Sequence, residues 1–213
     1  MFAEEPIYAQ LARLGKALAS PVRLRLLDVL DQRERTVEEL AQAAGVPLKN
    51  TSAQLQHLRA AQLVASRRDG TRVYYRLADE RVSRFLGEFE AFAEGRLAGL
   101  REAVRARLGT LDGVTVEELA ARLDDPGTIV VDVRAAAEYA AGHVPGAVSV
   151  PMAELRDRLG ELPAGAEIVA YCGGPYCVVA PEAVRLLREH GYEARPLDGG
   201  FLGWRRDGKP LAR

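Results

Sequence analysis

The chain has 213 residues, 48% hydrophobic and 28% charged, with a formal net charge of −1. That is the balance of an ordinary globular protein, long enough for two domains of about 100 residues each. No run of about 18 apolar residues offers a membrane span, and the start Met1-Phe2-Ala3-Glu4-Glu5-Pro6 lacks a secretory leader pattern, so a cytoplasmic protein with no membrane partner is expected. Two cysteines in all exclude the disulfide framework of small secreted domains. Charge is unevenly shared: residues 1–110 carry 18 Lys+Arg against 14 Asp+Glu, and residues 111–213 carry 11 against 16. A basic half and an acidic half suit different partners.

In chain order, apolar residues at 7, 11, 14 and 18 give the first helix. Ser20-Pro21 pairs an N-cap with proline at the first helical position and opens a second helix to about residue 30. Thr36 and Glu39 form a capping box for a short helix that stops near Gly45. A turn at Val46-Pro47-Leu48 leads to a helix over 49–61. Two β-prone runs, 63–68 and 71–77, joined through Asp69-Gly70, read as a hairpin. Residues 81–108 are helical in period, with a break expected because Gly87, Gly95 and Gly99 weaken the run.

After a boundary near 109–113 the pattern alternates. Strands are expected at 128–133, 147–150, 167–171 and 193–197. Helices are expected beginning at Val116 and over 135–141, 152–159, 181–190 and 199–205. Such alternation predicts an α/β domain with a parallel sheet. The fold class is therefore two domains: a mainly α winged helix-turn-helix over 1–109 and an α/β domain over 110–213.

A short helix, a tight turn, a second helix and a basic hairpin make a winged helix-turn-helix, whose second helix enters the major groove. Leu55 and Leu58 face its core, which leaves Lys49, Asn50, Ser52, Ala53 and Gln56 outside to contact phosphates or base edges. Arg67, Arg68 and Arg72 at the hairpin tip suit phosphate contact. A helical protein–protein module with a solvated basic hairpin is the competing reading.

Residues 10–80 resemble the ArsR family of bacterial winged-helix repressors. The carriers are LASPVRLRLL at 18–27, TVEELA at 36–41, SAQLQHL at 52–58, Leu63-Val64 and RDGTRVYYRL at 68–77. The resemblance implies a homodimer formed through the first and last helices of the domain, bound to a double-stranded DNA operator of two-fold symmetry. The cysteine pair of the metal-sensing members has no counterpart in 38–44, and their Asp/His cluster is absent after Asp79. His57 stands alone, so no metal and no cofactor are expected.

The two cysteines lie together in Cys172-Gly173-Gly174-Pro175-Tyr176-Cys177-Val178, at the end of a strand and before a helix. Backbone N–H groups and the helix dipole converge at such a junction, so a lowered thiol pKa and a nucleophilic thiolate are expected for Cys172. Residues 112–213 resemble the rhodanese family of sulfurtransferases. The match rests on VDVR at 131–134, Glu138-Tyr139, GHVPGA at 142–147, the Cys172 loop, LDGGF at 197–201 and Trp204.

This resemblance implies that Cys172 is the catalytic nucleophile, taking a sulfane sulfur to form a persulfide cradled by the backbone of residues 173–178. It also implies supporting, structural positions at Asp132, Arg134 and His143. A basic residue directly after the cysteine or at the loop end, present in many active rhodaneses, is missing, since Gly173 and Cys177 stand there. Cys177 reads either as a resolving thiol for Cys172 or as a small residue packing the loop. The function expected is a cytoplasmic DNA-binding transcription regulator that senses or processes reactive sulfur, its partners being small sulfur donors and acceptors. The alternatives are a sulfurtransferase enzyme, with a thiosulfate or persulfide donor, that carries an accessory DNA-binding domain, and a redox-sensing module without turnover.

Overall fold

A computed structural model describes residues 6–213. Residues 1–5, most of the stretch read above for a leader, lie outside the described residues. The chain divides into two compact units, Met1–Leu86 and Gly87–Arg213.

The first unit begins with α1 (Pro6–Leu18) and α2 (Pro21–Gln32). Ser20 caps α2, its hydroxyl accepting from the Arg23 N–H at 3.5 Å, with Pro21 in the first turn. The helix-turn-helix follows as α3 (Val37–Ala44) and α4 (Leu48–Ala60). The expected capping box is present: Thr36 Oγ1 accepts from Glu39 N at 3.2 Å and Glu39 Oε2 accepts from Thr36 N at 2.8 Å. Gly45 ends α3 at φ +62°, a left-handed conformation that favours glycine.

The wing is β2 (Val64–Asp69) paired antiparallel with β3 (Arg72–Leu77). A two-residue strand β1 (Arg35–Thr36) adds to the other side of β3, with Arg35 opposite Tyr75. The sequence reading missed β1 because two residues carry no periodicity; only the partner strand defines it. Leu26, Leu27, Leu40, Leu55 and Leu58 are fully buried in the core, joined by Leu86 from the start of α5 (Glu80–Arg96). Burying one such side chain contributes roughly 1.5–3 kcal/mol, so this apolar set orients the two helices of the motif. Below it, the Ser83 hydroxyl donates to the buried Asp31 carboxylate at 2.9 Å.

In the second unit, α5 gives way to α6 (Ala98–Leu108) at Leu97, whose φ −102° and ψ 100° are not helical. The expected break thus falls between Gly95 and Gly99. After α7 (Val116–Ala120) the chain builds a four-stranded parallel sheet from β4 (Thr128–Asp132), β5 (Val148–Ser149), β6 (Glu167–Tyr171) and β7 (Glu193–Pro196). The order is β5-β4-β6-β7. Helices α8 (Ala136–Ala141), α9 (Val179–Glu189) and α10 (Gly200–Arg206) complete the unit.

Both faces of the sheet are covered, and the period of two along β6 sorts its residues. Ile168 and Ala170 join the cluster containing Val184 and Leu187 of α9, whereas Val169 and Tyr171 join the one containing Phe201 and Trp204 of α10. Trp204 is completely buried, and its indole N–H donates to Pro210 O at 2.8 Å. One expected helix is absent. Residues 152–158 form successive turns, followed by a 3₁₀ turn at Leu159–Glu161. Glu154 N donates to Pro151 O and Asp157 N to Glu154 O, the tighter i to i−3 pattern, while Arg158 N is shared between Glu154 O and Leu155 O. The Arg158 guanidinium fixes this segment through Glu154, Glu161 and the Ser149 carbonyl.

Candidate functional site

Cys172 leaves the end of β6 and lies at the start of a loop that reaches α9. Its carbonyl accepts from Phe201 N at 2.9 Å, and the Gly173 carbonyl accepts from Leu202 N at 2.9 Å, so the N-terminus of α10 fastens the loop. Gly200 makes this close approach achievable. It sits at φ +59°, and a Cβ there would lie 2.7 Å from the Cys172 carbonyl oxygen. Within the loop, Cys177 N donates to Gly174 O at 3.2 Å.

Cys172 is 2% exposed and Cys177 is half-buried, and neither is in a disulfide. The Cys172 S–H donates towards the Cys177 carbonyl at 3.7 Å. The expectation of a lowered pKa is overturned. Hydrogen bonding to the Cys177 side chain, then burial, then the charge of Cys177 push the Cys172 thiol well above the usual thiol range. The peptide N–H groups of Ala180 and Gly174 pull in the opposite direction and are outweighed. Of the residues expected to cradle the sulfur at 173–178, Gly174 lowers the thiol pKa through its N–H, while the Cys177 N–H is spent inside the loop. Ala180 was not foreseen. Its N–H is free because it lies in the first turn of α9, where helical donors lack intrahelical partners.

Asp132, Arg134 and His143 are buried and act as a brace. Arg134 Nη2 meets Asp132 Oδ2 at 2.6 Å and the Gly142 carbonyl at 2.8 Å, while its Nε bonds Asp132 Oδ1 at 3.0 Å. The guanidinium also lies 3.9 Å from the centre of the Phe201 ring. His143 stacks on Tyr139 at 3.7 Å, and its backbone exchanges both hydrogen bonds with Ala212 at 3.0 Å. These groups tie β4, the 142–143 turn and α10 together, and α10 holds the Cys172 carbonyl.

A cavity of about 150 Å³ opens on Cys172. Its wall combines Gly174 and Cys177 with Val104, Arg105 and Leu108 of α6. The end of α6 is fixed where Arg185 of α9 donates to the Leu108 carbonyl at 2.7 Å. Tyr176 turns to another helix. Burial, followed by the carboxylates of Glu94 and Glu90 of α5, pushes its phenol up. Among the described residues no group of three or more His, Cys, Asp or Glu is placed to hold a metal ion.

In the first unit, Lys49, Asn50, Ser52, Ala53 and Gln56 of α4 are all exposed, whereas Thr51, Leu55 and Leu58 are buried. Gln56 Nε2 donates to the Tyr75 hydroxyl at 3.2 Å, and Asn50 accepts from Gln54 at 3.0 Å. Arg68 and Arg72 are exposed on the wing. Arg67 is committed within the chain: its Nε donates to Glu34 at 2.8 Å and its guanidinium lies 4.5 Å from the Tyr74 ring centre. The sequence offered no sign of that pairing, because Glu34 lies 33 residues away.

Residues 115–207 match the rhodanese-like domain family, and residues 18–67 match a helix-turn-helix domain family. The chain is 48% identical over 203 residues to the HTH-type transcriptional regulator Rv0324 of Mycobacterium tuberculosis, covering 95% of this chain and 90% of that protein. Over 97 residues it is 34% identical to a sulfurtransferase of Allochromatium vinosum, covering 45% of this chain and 89% of that one. A homodimeric winged helix-turn-helix DNA-binding domain of Mycobacterium bovis, solved by NMR and described as a possible ArsR-family regulator, is 43% identical. It covers 46% of this chain and 95% of its own, with a TM-score of 0.42. Among the described residues no helix is long and apolar enough to cross a membrane.

Proposed function

Because this chain belongs to the HTH-type transcriptional regulators that join an ArsR-like winged helix-turn-helix to a rhodanese-like domain, we propose that it is a cytoplasmic repressor whose DNA binding is set by sulfur carried on Cys172. The observation that carries the reading is a buried thiol at the wall of a small cavity, in a loop whose Cys172 and Gly173 carbonyls are fastened by α10. The sulfurtransferase named above supports sulfane sulfur as the species taken up.

The first step is balanced as thiol–persulfide exchange. The Cys172 sulfur attacks the outer sulfur of R–S–SH, the S–S bond breaks, and R–SH leaves with the Cys172 proton. The product Cys172–S–SH carries its charge on the outer sulfur when ionised, and the N–H groups of Gly174 and Ala180 stabilise anionic sulfur at this place. Cys177 then resolves it: its sulfur attacks the inner sulfur, forming a Cys172–Cys177 disulfide and releasing hydrogen sulfide. The raised pKa of Cys172 fits this division. A thiol kept protonated at rest is slow towards general oxidants, and its attack on a donor requires loss of the proton that departs with R–SH.

On the DNA side, Lys49, Asn50, Ser52, Ala53 and Gln56 read the major groove while Arg68 and Arg72 hold phosphates. Arg67 instead stiffens the wing through Glu34. A homodimer through α1 and α5 is supported by exposed apolar residues on both, Ile7, Tyr8 and Leu11 on one and Phe89 and Phe92 on the other. Coupling between sulfur state and operator affinity is about 1–3 kcal/mol in such systems, roughly 5- to 150-fold in affinity.

The test measures operator binding and Cys172 modification on one sample of full-length protein. Persulfide treatment is expected to change the affinity of wild type and to leave Cys172→Ser unchanged. Complete modification of Cys172 with an unaltered operator affinity rules the regulatory reading out. It leaves sulfur transfer as the function, which steady turnover lost in Cys172→Ser identifies.

A further inference from the structure

The loop around Cys172 carries no side-chain charge of its own, since residues 173–178 are Gly, Gly, Pro, Tyr, Cys and Val. The cavity is nonetheless not neutral. Among the described residues that line it, one is a cation, Arg105, and one is a carboxylate, Asp198. Arg105 comes from α6, outside the stretch 115–207 that matches the rhodanese-like family, so this wall belongs to the present chain and its α6. The end of that helix is fastened, Gly109 N donating to Arg105 O at 2.9 Å and Arg185 holding the Leu108 carbonyl, while the Arg105 side chain is exposed.

Asp198 enters from the other side, on the turn after β7 that leads into α10. Its carboxyl lies against Gly113, where an added Cβ would sit 1.8 Å from Oδ1, and the residue is exposed at the cavity rim. Burial pushes this carboxyl up from the ordinary carboxylate range, against the pull of Arg195. An ammonium group beside it would favour the charged form.

A cavity with one positive and one negative anchor beside a nucleophilic sulfur recognises a ligand with both charges. We infer that the sulfur donor is a low-molecular-weight hydropersulfide of the α-amino-acid type, with Arg105 binding its carboxylate and Asp198 its ammonium group, rather than the thiosulfate dianion. The inference rests on Cys172 being the sulfur acceptor. At about 150 Å³ the space suits a single amino acid persulfide better than a tripeptide one. Thiosulfate brings two negative charges and no cation, so Arg105 attracts it and Asp198 repels it. The transfer itself is the exchange written above: the donor's outer sulfur passes to Cys172, and the free amino acid thiol leaves with one proton.

The experiment follows Cys172 persulfidation by intact-protein mass spectrometry under single-turnover conditions, using full-length protein. The donors are cysteine hydropersulfide, thiosulfate and ethyl hydropersulfide, which lacks both charged groups. In Arg105→Gln the half-saturating concentration of cysteine hydropersulfide should rise roughly tenfold with the limiting rate unchanged, the scale of one lost charge-assisted hydrogen bond. Asp198→Asn should show the same rise and react faster with thiosulfate than wild type does. Arg105→Lys should recover most of the loss. Ethyl hydropersulfide should react equally with all forms, which shows that the loop is intact. Unchanged saturation in both charge-removing variants overturns the inference. So does equal slowing with the charged and the uncharged persulfide, which marks the residues as structural. If no donor modifies wild-type Cys172, the sulfur-acceptor reading itself fails.

Discussion

Removing the Cys177 sulfur should make Cys172 more reactive, not less. Cys177 holds the Cys172 thiol up through a side-chain hydrogen bond and through its charge. Cys177 is half-buried, so solvent screens part of its charge and the hydrogen bond leads. Each pKa unit of lowering raises the thiolate fraction below the pKa about tenfold, while the weaker nucleophile loses about threefold. Each unit of lowering is then a net gain of roughly threefold in alkylation rate below the pKa.

The assay is iodoacetamide alkylation of wild type and Cys177→Ser between pH 6 and 11, with Cys172 quantified by peptide mass mapping. Serine keeps the loop's volume and removes the ionising sulfur, so access to the buried thiol is comparable. The pH profile of Cys172 in Cys177→Ser should shift towards lower pH. An unshifted profile, or slower alkylation of the variant at pH 7, would refute the account of what raises this thiol. The linkage has a definite sign. A thiol whose folded pKa is raised contributes stability that is complete below the unfolded pKa of about 8.5 and falls as pH rises through the folded value. Wild type should therefore lose more stability than Cys177→Ser between neutral and alkaline pH.

Asp132→Asn leaves the Arg134 guanidinium buried without its counter-charge, so equilibrium denaturation should show the second unit destabilised by about 3–5 kcal/mol; a loss below about 1 kcal/mol would mean that the pair is not the brace described. Gly200→Ala forces a left-handed φ and a Cβ onto the Cys172 carbonyl, so it should lower stability by roughly 1–3 kcal/mol and slow persulfidation, whereas Gly208→Ala, in open space at φ +69°, should affect stability alone. Lys49→Ala and Arg72→Ala should weaken operator binding about equally across sequences, each reducing the salt slope by about 1 in titrations at several salt concentrations. Gln56→Ala should relax sequence preference instead. A sequence-selective loss in Arg72→Ala would show that the wing reads bases.

The two-unit plan was legible because its signals are local. Ser20-Pro21, the Thr36/Glu39 capping box and the Asp69-Gly70 turn each act within four residues, so the helix-turn-helix and the wing follow from adjacent side chains. The break near residue 97 followed from glycines on either side of it. The segment 152–158 misled because its apolar spacing suits a helix, while Arg158 satisfies the Ser149 carbonyl and two acidic side chains in a tighter set of turns. β1 exists only through its pairing with β3.

By itself the sequence determined the order of elements, the exposed face of α4, and the placing of Cys172 and Cys177 in one loop between a strand and a helix. These depend on periodicity, caps and residue type, which are short-range properties. Tertiary structure decided the charge state of Cys172, because the sign of its pKa shift comes from how closely the loop brings Cys177 and how deeply β6 buries the sulfur. It also decided that Arg67 is bound to Glu34, and that Arg105 and Asp198, 93 residues apart in the chain, face the same cavity. Long-range electrostatics and burial depend on the folded distance between groups, and no local pattern in the chain encodes that distance.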